Sequence, residues 1–105
     1  MRDKVLSDLP ETARRLVREM QRINFGRIEG LAVRGGLPVF ESKPRIVREI
    51  RIGANVPAHP AAPAENFHLK PEVVALMENL SILGNGVVLS LLVRNGLPFH
   101  LELEE

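Results

Sequence analysis

The chain has 105 residues, with 14 Lys/Arg against 13 Asp/Glu for a net charge of +1, a length that points to one domain with a modest core. Hydrophobic residues make up 45% and charged residues 26%, as in ordinary globular proteins, and the lack of cysteine excludes a disulfide framework and thiolate chemistry. No apolar run approaches the length of a membrane-spanning helix, and the opening MRDKVLSDLP mixes charges without an apolar core, so a cytoplasmic chain without a signal peptide is expected.

The first predicted element is a helix. Leu9, Ala13, Leu16, Val17, Met20 and Ile23 recur at three- and four-residue spacing, and Arg14, Arg15, Arg18 and Arg22 fall mostly on the remaining surface. Pro10 suits its first turn, Asp8 or Ser7 its cap, and Gly26 its exit. A hairpin follows, with Gly35-Gly36 as a two-residue loop that accepts positive φ at both positions. Pro38, just after the loop, lacks an N–H and predicts an unpaired edge on that side. After a break at Lys43-Pro44, Arg45 to Ile52 (RIVREIRI) reads as a further strand. Ile46, Ile50 and Ile52 share one face of it; Arg45, Glu49 and Arg51 share the other.

Residues 53–66, GANVPAHPAAPAEN, place a proline at every third position and read as an extended connector. A second helix opens at Pro71-Glu72 and carries Val73, Leu76, Met77 and Leu80 as its stripe, with Gly84 and Gly86 marking its exit. Val87 to Val93 is apolar on both faces and predicts a central strand. Asn95-Gly96 closes a second hairpin, and Leu97, Phe99, Leu101 and Leu103 alternate with Pro98, His100, Glu102 and Glu104, a half-buried strand with one wet face that puts Phe99 in the core.

VRGGLP at 33–38 returns as VRNGLP at 93–98, 60 positions later. At the same offset Leu16 maps to Leu76, Met20 to Leu80, Gly26 to Gly86, Ile28 to Val88 and Leu31 to Leu91, while most charged positions differ. An apolar frame kept under a diverged surface is the mark of a repeated structural unit. The expected fold is therefore α+β in a single domain, 1–105. Two tandem α-β-β units, 8–52 and 67–105, form one antiparallel sheet of about five strands with both helices on one face.

No grouping of residues reads as catalytic. His59, His68 and His100 form no metal-type pair, the serines lack a neighbouring base, and Gly35-Gly36 closes a hairpin where a phosphate-cradling loop would open a helix. No cofactor, metal or enzymatic activity is expected, and a ligand site between helices and sheet is the least favoured alternative. Charge is more telling. Residues 1–52 hold 12 Lys/Arg against 7 Asp/Glu, a net +5; residues 53–105 hold 2 against 6, a net −4. The first half gathers Arg14, Arg15, Arg18, Arg22, Lys43, Arg45, Arg48 and Arg51, which are candidate contacts for a nucleic-acid backbone. With only four phenylalanines as aromatics, a base-stacking platform is poorly supplied. Leu89, Leu91, Val93 and His100 are expected on an open sheet face and suggest self-association, most simply a dimer.

MQRINFGRIEGLAVRGGLPVF, followed by PRIVREIRIG, resembles a group of short uncharacterised bacterial proteins that open with a helix, an I-x-F/Y-G junction and a glycine-turned hairpin. The resemblance covers the first unit. It implies a bacterial-type cytoplasmic protein with a helix-plus-hairpin unit and transfers no activity or site residue. The second unit departs from it where Gly84 and Gly86 flank Asn85. The leading expectation is a small non-enzymatic interaction or accessory protein with a protein partner, a second copy of itself included; nucleic-acid binding is the alternative.

Overall fold

The computed structural model describes residues 5–50, 52–53 and 68–105. Residues 54–66 of the connector, with Pro57, His59, Pro60 and Pro63, lie outside the described residues, as does Arg51. Helix α1 spans Glu11–Ile23 and α2 spans Pro71–Leu83; the strands are β1 Gly26–Arg34, β2 Leu37–Val39, β3 Arg45–Arg48, β4 Gly86–Arg94 and β5 Leu97–Glu104. They form one five-stranded antiparallel sheet in the order β2-β1-β4-β5. β3 pairs with the opening half of β1, on the edge that β2 also occupies, and a 3-10 turn at Phe40–Ser42 separates the two.

Both helices pack on the same face. Leu16, Val17, Met20 and Ile23 of α1 and Val73, Leu76 and Leu80 of α2 share one core with Ile28, Leu31, Val33, Val88, Leu91 and Val93 of the central strands. The helical stripes therefore land as their spacing predicts, and burying these side chains is the main force holding helices to sheet. Leu6, in a short 3-10 turn before α1, adds a buried residue that no periodicity marks.

The sequence offset of 60 is also a structural offset. In the β1–β4 ladder Gly26 opposes Val93 and Val33 opposes Gly86; Ile28 opposes Leu91 and Leu31 opposes Val88. Exchanging the units maps this register onto itself. The hairpins obey the same exchange. Gly35 and Gly36, like Asn95 and Gly96, all have positive φ, as the two-residue turn demands. The Gly36 N–H donates to the Gly84 carbonyl at 2.8 Å, and the Gly96 N–H donates to the Asn24 carbonyl at 2.9 Å. Each hairpin tip thus satisfies a carbonyl left open at the end of the other unit's helix. The repeated hexapeptide is both a turn and a clasp between units.

Several expectations are corrected. α1 ends at Ile23 and is closed by Asn24, with φ +62, ahead of Gly26. Gly26 serves another purpose: a Cβ there would collide with the Val47 carbonyl of β3, just as one on Gly86 would meet the Glu104 carbonyl of β5 at 2.6 Å. The strand predicted over Arg45–Ile52 ends at Arg48, leaving Ile50 and Ile52 beyond the ladder and exposed. Leu91 and Val93 do not line the open face. Strict alternation fails at a bulge between Val88 and Ser90, which turns Leu89 outward and Leu91 and Val93 into the core. A second bulge in β5 frees Phe99, expected in the core, to be 60% exposed. The placement of Pro38 and Pro98 agrees with their chemistry, since β2 and β5 are both outer strands.

Candidate interaction surfaces

The basic residues of the first half divide between surfaces. Arg15, Arg18 and Arg22 lie exposed along α1, and Arg14 is half-buried beside them. Arg22 donates to Glu19 at 3.0 Å, one turn away. The Arg15 guanidinium lies 4.3 Å from the centre of the Phe40 ring, a cation–π contact that commits both groups. Arg45 sits elsewhere. It opposes Glu29 across β1 and β3, on the face that α1 leaves open, and approaches its carboxylate at 3.7 Å; Arg27 reaches the same carboxylate at 3.1 Å. Arg48 opposes Gly26 at the end of β3, and Lys43 is exposed just after the 3-10 turn, in a left-handed conformation. Among the described residues, α1 carries four arginines along its length, whereas Arg27 and Arg45 share the Glu29 carboxylate on the open sheet face.

The open sheet face is mixed in character. Cross-strand pairing sets Arg45, Glu29, Ser90 and Glu102 in one row, and Val47, Arg27, Leu92 and His100 in the next. Charge changes sign across the sheet: β3 contributes Arg45 and Arg48 to one edge, and β5 contributes Glu102 and Glu104 to the other. Cross-strand and exposed ion pairs of this kind are worth about 1 kcal/mol or less each.

A groove opens between α2 and β5, in the acidic half. It has a volume of about 250 Å³ and is floored by Leu76 and Leu91, with Ala75 and Asn79 on the helix side and Pro98 and Leu101 on the strand side. Glu72 lines its end, and Phe99 stands at its edge with Arg94 4.1 Å above its ring. Position-by-position comparison of the units explains the opening. Where α1 carries Arg15, α2 carries Ala75. Leu101 opposes Leu91 in the second unit. In the first, Phe40 follows the Val39–Ala32 pair, next to Leu31, and packs on the core. At the offset of 60 Phe40 maps to His100, but the extra residue at the Phe99 bulge brings Leu101 to the place opposite Leu91, so an arginine and a phenylalanine give way to an alanine and a leucine beside the groove.

None of the groove residues stands out by residue type or periodicity. The signal that marks them is the failure of Arg15 and Phe40 to recur at the offset where the apolar frame does. Among the described residues, no three His, Asp or Glu side chains are grouped to hold a metal ion. His68 lies exposed at an isolated bridge with Val5, and His100 lies on the open sheet face. No family model, no curated protein and no solved structure matches the chain. The functional reading therefore rests on the residues themselves.

Proposed function

We propose that this chain is a small cytoplasmic interaction protein that acts by binding another protein through the second unit. The observation that carries the reading is the apolar groove between α2 and β5, open beside an outer strand and an exposed Phe99. An apolar cleft next to an outer strand offers a peptide or a second domain both buried area and unpaired backbone groups. The partner is basic, because Glu72 lines the groove, Glu102 and Glu104 follow on β5, and the one cation at its rim, Arg94, is engaged on the Phe99 ring. A photo-crosslinking residue at position 99, with controls at positions 18 and 82, tests the reading in cells. A discrete polypeptide adduct from position 99 alone is expected; equal labelling from all three positions refutes it.

The second reading, nucleic-acid binding, is favoured by Arg14 and Arg18, whose guanidinium groups meet no carboxylate or ring among the described residues. It requires affinity for a labelled oligonucleotide that falls steeply with salt and is lost in Arg14→Glu/Arg18→Glu. A nuclease-sensitive adduct from position 18 in the crosslinking experiment would move this reading ahead of the first.

A further inference from the structure

We infer that the α2–β5 groove is the socket for an aromatic side chain carried beside an arginine or lysine on a protein partner. The inference rests on the reading of the chain as an interaction protein and specifies what its groove recognises. The first unit displays the occupied form of the same site. There, Phe40 fills the space between helix and outer strand, and Arg15 covers its ring from the helix at 4.3 Å. The second unit keeps the frame around that space: Leu76 for Leu16, Leu91 for Leu31 and Pro98 for Pro38. In the places of the Arg15 cation and the Phe40 ring it has Ala75 and Leu101, while its own Phe99, under Arg94, stands at the rim. A partner that supplies a ring and a cation restores contacts this backbone already accommodates elsewhere.

Size and charge agree. A closed apolar cavity of roughly 150 Å³ admits a benzene ring, so a groove of about 250 Å³ holds one ring with its linking carbon. The Glu72 carboxylate at its end and the Asn79 side chain beside it would face an incoming cation; the positions that correspond to them on α1 carry Thr12 and Glu19. The same charges argue against a second copy in the socket. A symmetric antiparallel pairing of two β5 edges centred on Leu103, the part of the strand farthest from Pro98, would set Glu102 of one copy against Glu104 of the other, and like charges across strands are unfavourable.

The test uses the intact chain and two peptides, acetyl-Arg-Phe-Ala-Arg-amide and acetyl-Arg-Ala-Ala-Arg-amide, titrated to millimolar concentration against the ¹⁵N-labelled protein. The expected result is a saturable shift of the Ala75, Asn79 and His100–Leu101 amides with the phenylalanine peptide only. Ala75→Arg/Leu101→Phe rebuilds the first unit's pair within the second; it should unfold at a higher temperature and lose the peptide response. Ala75→Met, at an exposed position, fills part of the groove should the double variant fold poorly, and should weaken the response several-fold. Equal shifts with both peptides, shifts centred on another surface, or an undiminished response in the filled variants would overturn the inference. So would dilution-dependent shifts of the groove amides without peptide, which would name a second copy as occupant. If the peptides fail while crosslinking at position 99 still yields its adduct, the anchor chemistry is wrong and the interaction reading stands; failure of both refutes the reading itself.

Discussion

The clasp between hairpin tip and opposite helix can be separated from the turn that forms it. Gly35 and Gly36 have φ of +58 and +77, so an alanine at either position meets the left-handed region, at a cost of about 1 kcal/mol. Their surroundings differ. A Cβ on Gly35 meets nothing within 4 Å, whereas a Cβ on Gly36 lies 3.0 Å from the Ser81 Cα, backbone that has no side-chain freedom to yield. Relief of that contact lifts the tip from α2 and stretches the 2.8 Å hydrogen bond to Gly84, whose loss costs about 1 kcal/mol. Packing strain adds about as much again. Gly35→Ala should therefore destabilise by about 1 kcal/mol and Gly36→Ala by about 3. Gly96→Ala, 3.4 Å from the Gln21 Cα, should fall near the lower figure. Urea unfolding followed by circular dichroism suits a chain without tryptophan or tyrosine. At a slope of about 2 kcal/mol per molar urea, the gap between Gly35→Ala and Gly36→Ala is a midpoint difference of about 1 M. If the two variants agree within about 0.5 kcal/mol, the tip does not bear on the helix and the clasp is refuted.

The bulge in β4 makes a second pair of neighbours unequal. Leu91→Ala, at a fully buried position, should cost about 3 kcal/mol, and Leu89→Ala, at a position 46% exposed, less than about 0.5; reversal of that order in urea unfolding would restore strict alternation and refute the bulge. Arg45→Ala should change stability by less than about 0.5 kcal/mol and be insensitive to added salt, because its 3.7 Å approach to Glu29 is made from a side chain largely in solvent. The Gln21 Oε1 atom is buried with no hydrogen-bond partner among the described residues, so Gln21→Met should stabilise by about 1 kcal/mol, and destabilisation would show that the amide has a partner after all.

The fold was legible where one physical rule governs each residue. Apolar spacing predicted both helices, two-residue loops predicted both hairpins, and prolines without an N–H predicted which sides of β2 and β5 stay free. Legibility failed where a rule is interrupted by one residue. A single extra residue in a strand reverses every side chain after it, and no residue type announces the bulges at Leu89 and Phe99. Leu91, Val93 and Phe99 were misplaced for that reason alone. The groove was hidden for a different reason: it is a deficit of volume, and a deficit appears only when Ala75 and Leu101 are set against Arg15 and Phe40.

The approximate symmetry of the fold also restricts how it associates. An antiparallel sheet whose two edges carry no further strand among the described residues is open to strand addition on both. The edge formed by β2 and β3 is interrupted by the Phe40–Ser42 turn, so it offers only short lengths of ladder, and Phe40 in that turn already occupies the space between strand and helix. β5 is continuous from Leu97 to Glu104, and the corresponding space beside it is open. Pro98 blocks hydrogen bonding at its start and Glu102 and Glu104 repel a like-charged strand, so the remaining edge admits a partner of opposite charge that begins beyond the proline. Two units that share a frame have thus become one closed side and one selective side. The closed side supplies, in Arg15 and Phe40, the pattern of what the open side would bind.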